Sequence, residues 1–332
     1  MATQPDDPWA LREADYPAGG ARAEQLKFLL RYAILAASNR NTQPWQFSVN
    51  PDQVTIHADF SRWQQTADPH KRELYISLGC ALENLLVALE HFGIGHVVTR
   101  APGADDESIA VQIAILDRPA ASPHRTAGMF KAIARRHTHH GRYLKRPVGK
   151  SALRKLMDCK AEHDLELLLT ADGPIKRTVD RLMLEGDAMA FANPRYRKEL
   201  AECIGEGSFG GPWLLALAQE FAVAHLGVSK VVARGDHAAL ASSPVFGLIS
   251  GHSGSDEVRI KAGQLLERVY LAATSLGLFL QPVSQLLEVD SVRLKFSRLF
   301  LAGGVPMMPF RLGYADTPGQ RTPRRPLGEV LL

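Results

Sequence analysis

The sequence predicts an α+β fold made of two related halves, and three observations carry that prediction. An apolar helix passes through a polar turn into an alternating strand between Leu29 and Val49. A second long apolar helix, from about Glu73 to His91, lies between strand-like stretches. That helix has a copy: Gly79, Leu82, Glu83, Ala88 and Gly93 are matched at one constant offset by Gly263, Leu266, Glu267, Ala272 and Gly277.

Residues 1–20 carry Pro5, Pro8, Pro17, Gly19 and Gly20, and read as an extended arm that wraps the surface or is partly disordered. Leu30, Ala33, Ile34 and Ala37 recur at helical spacing in a first helix from about Ala21 to Ala37, and Ser38 ends the pattern. Asn39, Arg40, Asn41, Thr42 and Gln43 follow, rich in hydrogen-bonding groups and poor in helix or strand preference. Trp45–Val49 and Gln53–Asp59 flank Asn50-Pro51-Asp52 and read as a strand pair. Phe60 to Arg72 is polar, with Asp68-Pro69 marking a break before the long helix that Gly93 ends. His96–Arg100 and Ala110–Asp117 read as two more strands. The segment 118–125 is the first composition shift with the character of a boundary. The expected division is an arm at 1–20, a first unit at 21–123 and a second at 124–332.

Composition narrows the function classes. The chain has 332 residues, 45% hydrophobic and 22% charged, so it can bury a large core. Its formal charge of +4 is scattered, which argues against nucleic acid as a partner. Cys80, Cys159 and Cys203 are odd in number and widely spaced, which argues against a disulfide framework or a structural zinc site and fits the reducing cytoplasm. The acidic N-terminus has no apolar core for a signal peptide, and no apolar run is long enough to span a bilayer.

The pattern Ser38-x-x-Asn41-x-Gln43-Pro44-Trp45 resembles the flavin-contacting turn of the nitroreductase family, with Ala37 where family members often have Pro. The resemblance implies a nitroreductase-like fold binding FMN. Family enzymes are typically homodimers with flavins in the interface, one subunit giving this turn to the ring and the other giving basic residues to the phosphate. Here Arg136, Thr138 and His140 match the family's Arg-x-Ser/Thr-x-Lys/Arg segment. His140 departs from it, leaving Arg135 or Arg142 to supply the charge. Arg324 and Arg325 resemble the closing phosphate contact, because a phosphate dianion suits forked guanidinium donors. Pro282, Val283 and Ser284, after the second repeat helix, sit where family members place a backbone amide against the flavin's reactive edge.

The first half keeps the polar turn without the basic segment, and the second keeps the basic segment without the turn. The expectation is one composite FMN site per chain in two fused units, a layout similar to the Acg-like branch. The implied activity is ping-pong hydride transfer from NAD(P)H through FMN to a nitroaromatic or quinone-like acceptor; the alternative is an FMN-sequestering protein under a lid. A pseudo-dimer of this kind is expected to be a monomer or a homodimer. Spacing argues against a metal at His137, His139 and His140. The Gly-rich stretch Gly205–Trp213 lacks the Lys-Ser/Thr of a phosphate loop and reads as a mobile cover. No GxSxG triad setting or paired-carboxylate motif occurs, consistent with chemistry carried by a flavin.

Overall fold

The computed structural model describes residues 7–101, 103, 106–119, 121–206, 242–300, 304–316 and 321–332. The first helix, α1 (Arg22–Ala33), leads into the hairpin β1 (Trp45–Asn50) and β2 (Gln53–Ala58). Helix α2 (Arg72–His91) then crosses to β3 (Gly95–Arg100) and β4 (Ile109–Leu116). Short helices α3 (Ala127–Ile133) and α4 (Lys150–Met157) precede β5 (Leu165–Thr170). Helices α5 (Gly173–Ala192) and α6 (Pro194–Gly205) follow. Strand β6 (Val245–Gly251), helix α7 (Asp256–Ser275) and β7 (Phe279–Pro282) come next. The chain closes with α8 (Gln285–Glu288), α9 (Asp290–Phe300), β8 (Val305–Gly313) and α10 (Leu327–Val330).

Two antiparallel four-stranded sheets result, with the same strand order: β1-β2-β4-β3 and β5-β6-β8-β7. Each carries a register shift where its central strands pair, at Ile56/His57 and at Ile249/Ser250. Helices α2 and α7 are buried around most of their circumference, as apolar helices at the centre of a fold must be. Their C-termini match: Gly93 and Gly277 take φ of 71° and 70°, where a side chain would be strained.

The two helices cross at the repeated glycines. A Cβ on Gly263 would lie 2.0 Å from the Ile76 carbonyl oxygen, and one on Gly79 would lie 2.1 Å from the Ile260 carbonyl oxygen. Only hydrogen fits there. Gly263→Ala is therefore expected to lower unfolding free energy by about 1–3 kcal/mol through overpacking against backbone. Denaturant titration checks this, and unchanged stability would show that the helices can slide apart freely.

The first helix ends earlier than its apolar spacing predicts, at Ala33, because Ile34–Ala36 tighten into turn geometry with Leu35 N–H on the Tyr32 carbonyl. The Leu35 and Ala36 carbonyls are left pointing beyond the helix. From Asp7 onward the arm is ordered on the core: Tyr16 stacks on Phe92 at 4.1 Å, and Trp9 and Leu11 pack beside it. Among the described residues, no helix is long and apolar enough to cross a membrane.

Candidate functional site

The polar turn has the most unusual backbone of the described chain. Arg40, Asn41 and Gln43 have φ of 43°, 57° and 48°, a left-handed region in which side chains other than Gly and Asn are strained. Such a turn persists only where its surroundings hold it. Ser38 Oγ accepts the Gln43 N–H at 3.1 Å. The Asn41 amide donates to the Pro323 carbonyl at 2.9 Å, and its oxygen accepts from Arg324 Nη1 at 2.8 Å. Gln43 Oε1 accepts the Arg325 N–H at 2.8 Å. Asn41 and Gln43 thus grip the C-terminal segment.

Arg40 reaches the other way. Its Nη2 lies 2.8 Å from Glu288 Oε2 and 2.7 Å from the Tyr196 hydroxyl. Burial works against that charge, yet Glu288 outweighs it and raises the pKa of Arg40 above the usual guanidinium value. Glu288 also accepts from Ser284 Oγ at 3.0 Å. One turn is therefore tied to residues 321–325 on one side and to residues 284–288 on the other.

The basic segments converge on the end of α1. Arg136 Nη2 donates to the Leu35 carbonyl at 2.9 Å, and Arg324 Nη2 lies 3.4 Å from the same oxygen and 3.3 Å from the Ala36 carbonyl. Arg136 is 2% exposed and faces Glu267, itself fully buried, at 3.3 Å. Arg324 is 8% exposed, has no carboxylate within 4 Å among the described residues, and its Nε has no hydrogen-bond partner there. Burial first, and Arg136 second, pull the Arg324 pKa down to about 9. Of the two buried guanidiniums, only Arg136 is thus paired with a carboxylate. An anion with several acceptor oxygens, such as a phosphate monoester, fits this set by satisfying the orphaned Nε and relieving the repulsion.

The other repeat carboxylate has the opposite environment. Glu83 accepts from Arg125 at 2.7 and 3.1 Å and from Gln264 at 2.9 Å, with Arg268 at 3.4 Å. Burial alone would raise its pKa, but Arg125 and Arg268 bring it down to about 2. Glu90 and Glu162 in turn neutralise those arginines. Both of those guanidiniums have carboxylate partners, whereas Arg324 near Glu267 has none among the described residues.

Thr138 Oγ1 lies 2.8 Å from the hydroxyl of Tyr270, whose ring sits beneath the Arg136 guanidinium at 4.9 Å. His140 is directed elsewhere, with its ring on Gln281 at 3.1 Å and its carbonyl accepting from Arg311. Arg135 and Arg142, expected to stand in for the charge His140 lacks, both lie at the surface. Arg135, in the turn after α3, donates to the Lys131 carbonyl. Arg324, from the far end of the chain, lies beside Arg136 at the Leu35 carbonyl. Arg325 is held instead by Asp59 at 3.2 Å and by the Gln43 carbonyl at 3.2 Å, a strap across the turn. Val283 is buried with its N–H on the Pro309 carbonyl, between Pro282 and Ser284. Of the Gly-rich stretch only Gly205 and Glu206 are described, so the expected cover lies outside the described residues. No group of three His, Cys, Asp or Glu that could hold a metal occurs among them.

Sequence reasoning missed Arg40, Tyr196, Glu288 and Trp9. Glu267 was visible only as the repeat partner of Glu83. Arg40 lies inside the polar turn but has no place in its motif, and nothing in the local sequence distinguishes Tyr196, Glu288 and Trp9 from ordinary surface or core residues.

No protein-family model matches the chain. Two Mycobacterium tuberculosis proteins named as NAD(P)H nitroreductases are each 30% identical over 342 residues, covering 93% of this chain and 91% of theirs. Among solved structures, an FMN-bound nitroreductase of Desulfitobacterium hafniense is 13% identical with a TM-score of 0.40, covering 60% of this chain and 95% of that one. The FMN-dependent nitroreductase NfnB of Mycobacterium smegmatis, in complex with NADPH, is 17% identical with a TM-score of 0.41, covering 61% and 96%. On the near full-length match to the M. tuberculosis proteins, this chain belongs to the NAD(P)H nitroreductase family.

Proposed function

We propose that the chain is an FMN-dependent NAD(P)H oxidoreductase with one composite cofactor site, built between two nitroreductase-like units, 21–123 and 124–332. The observation that carries the reading is the pair of buried guanidiniums, Arg136 and Arg324, over the single carboxylate Glu267. These two would hold the cofactor phosphate. The turn Ser38–Gln43 and the segment Pro282–Ser284 would flank the ring, since Arg40, Glu288 and Ser284 join them. When bound, FMN would supply the redox chemistry, taking a hydride from NAD(P)H and passing electrons to a nitroaromatic or quinone-like acceptor in ping-pong order. The protein's part is placement and electrostatics.

The pairing of both guanidiniums around Glu83 supports a single site, because an added anion there would meet carboxylates already paired. Both halves contribute to the site within one chain, so a monomer suffices for it. The three cysteines are buried and free, which fits a reducing cytoplasm.

The strap of residues 321–325 over the turn favours a second reading, an FMN-sequestering protein with little turnover. The visible spectrum of the purified protein, taken anaerobically before and after NADPH and then NADH, separates the two. A flavin band at a ratio near one per chain that bleaches with either donor is expected. A band that neither donor bleaches would favour sequestration. No flavin after reconstitution with FMN, or a ratio near two, would overturn the composite site.

A further inference from the structure

Trp9 lies outside every motif of the sequence, yet it sits on the basic segment at the centre of the site. Its indole N–H donates to the Thr322 carbonyl at 3.0 Å. The Arg324 guanidinium lies 4.9 Å from its ring centroid and that of Arg321 lies 5.0 Å away. Arg321 in turn donates to the Ala134 carbonyl at 3.1 Å, two residues before Arg136. The indole therefore sits directly on the C-terminal segment and reaches the segment of Arg136 through Arg321. Its own place is fixed by packing of the arm on the core and by its backbone N–H on Asp7 Oδ1 at 3.0 Å.

We infer that Trp9 is a positioning residue for phosphate recognition, a roof that holds Arg324 and Arg321 over the site and keeps water from it. The inference rests on the FMN reading above. Arg324 and Arg136 repel each other in a dry site, and Arg324 is held there by neutral acceptors, Asn41 Oδ1 and the Leu35 and Ala36 carbonyls, with the indole over its face. The indole adds to this hold without neutralising the charge: its π face attracts a guanidinium but leaves the positive charge free for an anion. An acidic residue in the same place would cancel the charge the anion needs. With water excluded, attraction between phosphate and guanidinium is screened less.

The roof acts on the phosphate and not on the ring, which sets the experiment. FMN and riboflavin, identical except for the phosphate, are titrated against the full-length wild type, Trp9→Ala and Trp9→Phe by flavin fluorescence at two salt concentrations. The expected result is an FMN affinity about tenfold lower in Trp9→Ala, partial recovery in Trp9→Phe, which keeps a π face, and riboflavin affinity unchanged in all three. FMN binding by Trp9→Ala should also become more sensitive to salt than that of wild type. Equal losses for FMN and riboflavin would make Trp9 a general structural residue and overturn the inference, as would FMN affinity unchanged in both variants. If Trp9→Ala does not fold, Trp9→Phe alone decides: weaker FMN with unchanged riboflavin upholds the roof, and no selective loss overturns it. Wild type that binds neither flavin would instead bring down the FMN reading, and this inference with it.

Discussion

Glu288→Ala lowers unfolding free energy by about 3–5 kcal/mol, the loss expected when one partner of a buried ion pair is removed and the other stays behind. Glu288 and Arg40 lie 2.8 Å apart with side chains only 2% and 8% exposed. Removing the carboxylate strands the guanidinium among Tyr196 and the apolar side chains packed around Phe191 and Ile204. Arg40 also has left-handed backbone, so the turn would lose the contact that helps offset its strain. Chemical denaturation followed by circular dichroism measures the change. A loss below 1 kcal/mol would mean the pair is hydrated and does not hold the turn. Arg40→Ala should cost less than Glu288→Ala, because it leaves Glu288 with Ser284 and Tyr196 as donors.

Arg136→Ala and Arg324→Ala each weaken FMN binding by about 1.5–3 kcal/mol, the range for a hydrogen bond to a charged group. That is roughly a ten- to hundredfold rise in dissociation constant. The two are close enough to share the Leu35 carbonyl, so the double variant should fall short of the sum of the singles. Arg136→Ala also leaves Glu267 without its ion-pair partner, and a stability measurement must accompany the titration. Arg135→Ala is the control, since that side chain is exposed in the turn after α3 and should leave FMN affinity unchanged. Equal FMN affinity for wild type and Arg324→Ala would remove the C-terminal segment from the site.

Much of this molecule is legible locally. The strands at 45–50, 53–58, 95–100 and 109–116 follow from residue alternation and turn residues a few positions apart. The long helices follow from apolar residues with a glycine at the end, and their repeat foreshadows the crossing at Gly79 and Gly263. The basic segments were recognisable as types: Arg136 and Arg324 arrive together as the motifs imply. Arg135 and His140, one and four residues away from Arg136, do not, because the short turn after α3 sends successive side chains in different directions.

Hydrogen-bonding pattern, residue spacing and motif chemistry are properties of neighbouring residues, and those the sequence by itself determined: the α+β class, the repeated helix, the polar turn and the family. Which charge is left over is different. Arg136 and Arg324 meet the end of α1 across 101 and 289 residues, and Glu288 meets Arg40 across 248. Whether a guanidinium is buried, paired or crowded by another depends on segments brought together from the whole length of the chain. Tertiary structure alone decided that Glu83 is neutralised while Glu267 is outnumbered, and that Trp9 covers the difference.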